Sequence, residues 1–412
     1  MKTEYANAVV GQSGGPTAAI NATLSGVVRG ATLHGERIAT LFGMKHGIEG
    51  LLADDLVDLT AFFGTSEEKL RELEQTPAAA LGSCRLKLPD PESDPEPFRK
   101  IAGIFRRRGI RYFFYIGGND SMDTVAKLAA FFRSGEEGIS VIGVPKTIDN
   151  DLVGTDHTPG FGSAAKYIAV TVGEILCDCA VYRIPAVTVI ELMGRDSGWL
   201  TAAAALGRMT GSPEPDLIYL PERAFDTERF LADVHAALRR HPDVVVAVSE
   251  GVRDRDGKYI ASLATEPERD RFGHRRLGGV GTALSELVRD RIGCKTRSIE
   301  LNLPQRCGAH LASLTDIQES VGVGKAAVFA AVSGVTGEVM TIVRCSDNPY
   351  RVEYSHLPAG QIANRVRLVD DRFINAAGNQ VTDECCAYLF PLIQGEVPCR
   401  FLGGLPVHLS IH

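Results

Sequence analysis

Six consecutive residues, Lys146-Thr147-Ile148-Asp149-Asn150-Asp151, set a cation, a hydroxyl and two carboxylates at the end of the apolar run Ile139–Val144. Phosphoryl transfer to an alcohol needs this set: a positive charge to clamp the donor and a carboxylate to receive the hydroxyl proton. A solvated turn rarely holds the combination, and convergent polar groups at strand ends mark binding sites. A second loop, Gly117-Gly118-Asn119-Asp120-Ser121, follows the apolar run Tyr112–Ile116. Its glycines allow close approach to a phosphate, and its oxygen-bearing pair suits magnesium beside a polyphosphate. Asn, Asp and Ser also cap helices, so this loop alone leaves both readings open. A third, Gly11-Gln12-Ser13-Gly14-Gly15-Pro16, has neither the dinucleotide glycine spacing nor the P-loop lysine. It fits a phosphate at a helix N-terminus or simply a tight turn. The fourth, Met193-Gly194-Arg195, follows the run Val187–Leu192 and fits a phosphate or a surface ion pair.

All four loops end apolar strands and lead toward helices. After the Gly11–Pro16 turn, Ile20, Leu24, Val27, Val28 and Ala31 share a helix face; after Gly117–Ser121, Val125, Leu128, Ala129 and Phe132 do the same. A long helix is expected from near Phe161, and an Ala-rich helix after Gly198. Leu217–Leu220 and Val244–Val248 are further buried strands, with helices near Arg229–Leu238 and Gly281–Arg289. This alternation predicts right-handed βαβ units and parallel sheets, whose ligands bind beyond the carboxyl ends of the strands. The proline-rich acidic stretch Pro89–Pro97 reads as a loop. After Gly337 the β-branched alternation of Val339, Thr341 and Val343, repeated by Val352 and Tyr354, predicts antiparallel strands added at an edge.

The chain has 412 residues, which suggests two or three domains. Its net charge of −7, with basic residues interspersed among acids, argues against a nucleic-acid binder. The Arg106-Arg107-Arg108 run reads as the basic end of a helix. Nine scattered cysteines without paired C-x-x-C spacing imply reduced, largely buried thiols rather than a disulfide framework. A polar N-terminus and the absence of an 18-residue apolar run place the expected location in the cytoplasm, away from membrane.

Together, the order and separation of these loops resemble the phosphofructokinase family over about residues 5 to 325. The resemblance implies an α/β fold of two doubly wound parallel-sheet, Rossmann-like domains with the active site in the cleft. It places a donor-phosphate-binding domain at residues 1–159 plus about 310–360. A sugar-phosphate-binding domain follows at 160–309, and a C-terminal extension at about 361–412. It implies Asp149 as the general base on a sugar 1-hydroxyl, with Thr147 and Asp151 supporting acceptor, base and metal. Gly14, Gly15, Arg85 and Gly118 would meet the donor, with Arg85 bridging donor and acceptor phosphates. Met193, Gly194, Arg195 and Glu250 would contact the sugar. Arg306 would hold the sugar phosphate, often from a neighbouring subunit in the family. Asn119 and Asp120 would face Mg²⁺, and a homodimer or homotetramer is implied.

Asp120 and Lys146 make the chain similar to the pyrophosphate-using members, since ATP users usually carry glycine at both places. An Asp120 carboxylate repels the α-phosphate of a nucleotide, while Lys146 suits a short, highly charged donor. The expected reaction is therefore reversible transfer from pyrophosphate to fructose 6-phosphate. Two departures bear on it. Asn119 replaces the usual aspartate, and the segment after Pro-Gln-Arg reads Cys307-Gly308-Ala309-His310. His310 is a phosphate-ligand candidate there, or else a buried helix histidine. The alternatives are an ATP-dependent enzyme on the same scaffold and a sugar-phosphate sensor without catalysis, against which the intact Asp149 and Asp151 speak.

Overall fold

The computed structural model describes residues 6–133, 138–263 and 279–411. Eleven strands form two sheets. The first contains β1 (Ala6–Gln12), β2 (Ile38–Met44), β3 (Leu56–Asp58), β4 (Ile110–Gly117), β5 (Ser140–Pro145), β10 (Glu338–Asp347) and β11 (Tyr350–Pro358), in spatial order β11-β10-β5-β4-β1-β2-β3. The second contains β6 (Ala186–Leu192), β7 (Leu217–Tyr219), β8 (Asp243–Ser249) and β9 (Lys295–Glu300), in order β7-β8-β6-β9. The four strands of the second sheet are parallel. The first has a parallel centre with one antiparallel strand at each edge. The predicted edge pair is β10 and β11. The other antiparallel edge, β3, was not foreseen, nor were β2 and β9.

Both faces of each sheet are covered, which is why the central strands read as continuous apolar runs rather than alternating ones. On β4, Phe114 and Ile116 face a core shared with the helices Ile20–Leu33 and Leu314–Val332. Phe113 and Tyr115 face the opposite core, with the helices Glu96–Arg108 and Asn119–Arg133. The second sheet repeats this: Ile190 and Leu192 pack toward the helix Phe161–Cys179, and Val187 and Val189 toward Thr227–Leu238 and Val280–Ile292. The helices Ile20–Leu33 and Leu314–Val332 cross at glycine, where a Cβ on Gly26 would stand 2.2 Å from the Val321 carbonyl oxygen. That contact fixes the helix that leads out of the first glycine turn.

Several local expectations change. The run after Gly198 is helical only over Trp199–Ala202 and continues as 3-10 turns through Ala203–Thr210. Its alanines are buried against the second core, so packing overrides their helix propensity. The Pro89–Pro97 loop ends two residues early, because Pro97 sits in the first turn of a helix starting at Glu96, where its missing N–H costs nothing. Arg106, Arg107 and Arg108 do close that helix, ahead of Gly109. All nine cysteines are free thiols, yet only Cys84, Cys385 and Cys386 are buried. No helix among the described residues is long and apolar enough to cross a membrane.

A buried ionic knot ties the two edge strands to the loop that follows β5. His157 lies between Asp156 (2.8 Å) and Glu319 (2.6 Å), and Tyr350 donates to Glu319 at 2.8 Å. Arg344 reaches the same Asp156 at 3.0 Å. Burial opposes charge on His157, but the two carboxylates outweigh it and hold its pKa up at about 9. A raised imidazole pKa stabilises the fold fully below the unfolded value near 6.5 and ceases to do so as pH rises through about 9. Between those pH values the parent should lose up to about 3 kcal/mol more stability than His157→Asn. Thermal melts of both proteins across that window check this; parallel curves would remove the imidazolium from the account.

Candidate active site

The loop after β5 is built to hold an unusual shape. Lys146 N–H donates to the Gly117 carbonyl at 2.9 Å, which continues the sheet's pairing past the strand end. The Thr147 hydroxyl accepts the Asp149 N–H at 3.1 Å, turning the chain back at once. Asn150 takes a left-handed conformation, φ +54°, which asparagine tolerates better than most residues. Its side-chain oxygen accepts the Thr158 N–H (3.1 Å), and the Thr158 hydroxyl donates back to the Thr147 carbonyl (2.9 Å). Asp149 and Asp151 are thereby presented side by side.

Both carboxylates line a cavity of about 650 Å³ at the carboxyl ends of β1, β4 and β5. Gly14, Gly15, Arg85, Gly118, Asn119, Asp120, Lys146 and Thr147 line it too. Ten of the predicted site residues therefore share one wall. Glu49, Cys84, Lys87 and Thr124 also contribute and were not foreseen, because they lie outside the glycine-rich and charged loops. The Lys146 ammonium donates to the Gly15 carbonyl at 2.6 Å. Gly14 takes φ +76°, a left-handed conformation that favours glycine.

The second sheet supplies the facing group. Met193, Gly194 and Arg195 follow β6, and Glu250 follows β8. They are not part of the cavity wall itself. Gly194 N–H donates to Glu250 at 3.3 Å and Met193 N–H to Gln305 at 3.2 Å. The Ser197 hydroxyl donates to the Asp149 carbonyl at 3.0 Å, tying the loop after β6 to the loop after β5. Arg306 belongs to this chain's own cluster: its guanidinium lies 3.4 Å from where a Gly15 Cβ would be, and it feels both Arg85 and Asp149. His310 is exposed on a short 3-10 turn, edge-on to Tyr167, so the buried-histidine reading fails. It is also absent from the cavity lining, since the turn after Gly308 carries it outward.

Charges of both signs crowd the site and shift one another's ionisation. Burial, then the neighbouring Glu250 charge, pushes the Asp149 carboxyl above its ordinary range. Burial and Asp149 raise Asp151, while a hydrogen bond from the Thr147 hydroxyl partly offsets this. Glu250 is lifted to about 7, chiefly by burial. Burial lowers Lys146 to about 8 despite both aspartates, and Arg306 and Arg85 add to the lowering. Three cations, Lys146, Arg85 and Arg306, thus lie among three carboxylates, Asp149, Asp151 and Glu250.

For a divalent cation the protein offers little by itself: among the described residues no three His, Cys, Asp or Glu side chains converge on a metal position. Asn119 Oδ1 is buried without a hydrogen-bond partner, and the Asp120 carboxylate is paired with Lys87 at 2.8 Å. One carbonyl and one carboxylate oxygen fit a magnesium ion that keeps waters and takes its remaining ligands from a substrate's phosphates.

Comparison with known proteins agrees with this geometry. The family model described as Phosphofructokinase matches residues 7–330. The chain is similar to a pyrophosphate–fructose 6-phosphate 1-phosphotransferase of Methylococcus capsulatus, 40% identical over 98% of this chain and 96% of that one. A protein of the same name from Halomonas elongata is 40% identical over 97% and 94%. Among solved structures, a pyrophosphate-dependent phosphofructokinase from Nitrosospira multiformis superposes with a TM-score of 0.88 at 36% identity, covering 98% of this chain and 96% of that one.

Proposed function

The chain belongs to the phosphofructokinase family, and from that premise we propose that it transfers a phosphoryl group from pyrophosphate to the 1-hydroxyl of fructose 6-phosphate, giving fructose 1,6-bisphosphate and phosphate. The observation that carries the donor is the cavity's pair of charges. Lys146 is buried against Gly15 at the inner wall, and Asp120 stands exposed at the mouth with Lys87. A short polyanion reaches the first without passing its own excess charge across the second. A nucleotide would set its α-phosphate and ribose against the Asp120 carboxylate.

Asp149 accepts the proton of the attacking hydroxyl. Its raised pKa suits it to that task, and Ser197 and Thr147 hold its backbone. Lys146, Arg85 and Arg306 bind the donor and the sugar phosphate, with backbone N–H groups of Gly15 and Gly118 beside them. Arg306, from the same chain, takes the sugar-phosphate role in preference to His310. Glu250, with Met193, Gly194 and Arg195, meets the sugar. Asp151 and Thr147 keep the catalytic carboxylate and the transferring group in register. Magnesium would be held by Asp120 and Asn119 with the phosphates, and when bound it neutralises charge that builds on the donor. The protein's contribution is positioning and electrostatics, with no covalent intermediate.

By this reading the first sheet and its helices form a donor half and the second sheet an acceptor half, and the chain works as a homo-oligomer. The exposed apolar turn Val181, Tyr182 and Ile184, next to the edge strand β9, supports that assembly.

Initial rates with fructose 6-phosphate and magnesium, comparing pyrophosphate with ATP, test the donor. Pyrophosphate should be strongly preferred, and Asp120→Gly should narrow the preference roughly tenfold, the effect of relieving ~1.4 kcal/mol of repulsion. Activity with ATP alone would overturn the donor assignment. The pH profile of kcat/KM provides a second check. Activity should rise with pH as Asp149 loses its proton, with an acidic limb above the ordinary carboxylate value near 4. Glu250→Gln should move that limb to lower pH, because it removes a like charge. An unmoved limb would take Asp149 out of the base role.

A further inference from the structure

The matched family segment ends at residue 330, yet the later residues 365–369 lie across the catalytic loop. This strap touches both halves of the site in sequence order. The Arg365 carbonyl accepts the Asn119 side-chain amide at 2.5 Å, at the start of the helix beneath the donor cavity. Arg367 N–H donates to the Asp151 carbonyl at 2.8 Å, and the Arg367 carbonyl accepts the Trp199 indole N–H at 3.3 Å. Val369 N–H donates to Glu222 at 2.9 Å, and the same Glu222 oxygen accepts Gly198 N–H at 2.8 Å. Backbone groups of three alternate residues, Arg365, Arg367 and Val369, thus join the donor loop, the catalytic loop and the acceptor-side loop.

The Arg367 side chain closes the arrangement. Its guanidinium lies over the Trp199 ring, 4.6 Å from the centroid, and donates to the Asp156 carbonyl and, at 3.3 Å, to the Tyr388 hydroxyl. That hydroxyl donates to the Asp156 carbonyl at 2.6 Å and receives the Asn150 side-chain amide at 3.5 Å. One arginine and one tyrosine, both from the tail, therefore hold the loop bearing Asp149 and Asp151 at Asn150, Asp151 and Asp156. Asn150, the left-handed residue between the two carboxylates, is gripped directly. A planar guanidinium serves three directions at once, whereas an ammonium of similar reach serves one carbonyl or one ring.

We propose that Arg367, with Tyr388, is a positioning residue for phosphoryl transfer: it fixes the Asp149–Asp151 loop against the acceptor-side loop through the strap Arg365–Val369. The same strap accounts for asparagine at position 119. An amide there donates to the Arg365 carbonyl, and a carboxylate would set oxygen against oxygen. The inference rests on Asp149 being the base. It locates a determinant of catalysis in a part of the chain the family model does not cover.

The test is steady-state kinetics of Arg367→Met, Arg367→Lys and Tyr388→Phe with fructose 6-phosphate, pyrophosphate and magnesium, each variant checked for folding by circular dichroism. Because a loop displaced by about 1 Å costs roughly 100-fold in rate, Arg367→Met should lower kcat by 30-fold to 100-fold. The KM for each substrate should stay within about threefold, since the phosphate-binding cations are untouched. Arg367→Lys should recover at least threefold of that loss. Tyr388→Phe, which removes only a hydroxyl, should lower kcat by roughly 3-fold to 10-fold, and it decides the matter if Arg367→Met does not fold. A folded Tyr388→Phe or Arg367→Met with kcat within twofold of the parent, or with raised KM and unchanged kcat, overturns the positioning role while leaving the proposed function intact. An inactive parent, or an Asp149→Asn variant as active as the parent, overturns the base assignment and the strap's role with it.

Discussion

Lys146 is buried and Asp149 and Asp151 half-buried within six residues of one another, and the folded chain does not fully compensate their charges. Burying ionised groups costs several kcal/mol each unless partners satisfy them. Here like charges face the same groups: Glu250 opposes ionisation of Asp149, and Arg306 and Arg85 oppose it at Lys146. Such an arrangement persists only when the surrounding structure forces it, and its tension is relieved when a polyanion and a cation enter together. The site is an electrostatic mould, and the rest of the molecule keeps it from relaxing.

Two sheets do most of that work. Parallel strands deliver their loops to the same end, so the loops after β1, β4 and β5, distant in sequence, converge on one cavity. The rigid part is the double-sided packing of β1, β4 and β5, which fixes Gly14, Gly118 and Lys146 relative to one another. The mobile risk is the excursion from Lys146 to Gly160. It is restrained from inside by Thr147, Asn150 and Thr158, from the second sheet by Ser197, and from below by the ionic knot on His157.

Much of this was legible in the sequence because the relevant signals are local. An apolar run followed by glycine or by lysine, threonine and aspartate reveals a strand and its loop, and the order of four such loops points to one family. β9 was invisible for a physical reason: Lys295, Arg297 and Glu300 alternate charge along an edge strand that needs no apolar face. The outward-facing His310 was equally hidden, since nothing local distinguishes a buried turn from an exposed one. The tail was hardest. Residues 369–392 bury Val369, Phe373, Cys385 and Leu389 in the second core, whereas Ile411 returns to the first. Its grip on the site is made largely through backbone N–H and carbonyl groups, which leave no mark in composition or periodicity. Arg367 and Tyr388 look like ordinary surface residues until the chain is folded.

Catalysis here turns on one division of labour: Asp149 receives the proton, and its neighbours bind. The most direct measurement is calorimetric binding of fructose 6-phosphate to Asp149→Asn, set beside the kcat of the same variant with pyrophosphate. Affinity close to that of the parent with kcat lower by roughly 10²–10⁴-fold is the predicted result, the usual contribution of a positioned general base. A kcat within tenfold of the parent, or a loss of activity explained by lost binding, would contradict it.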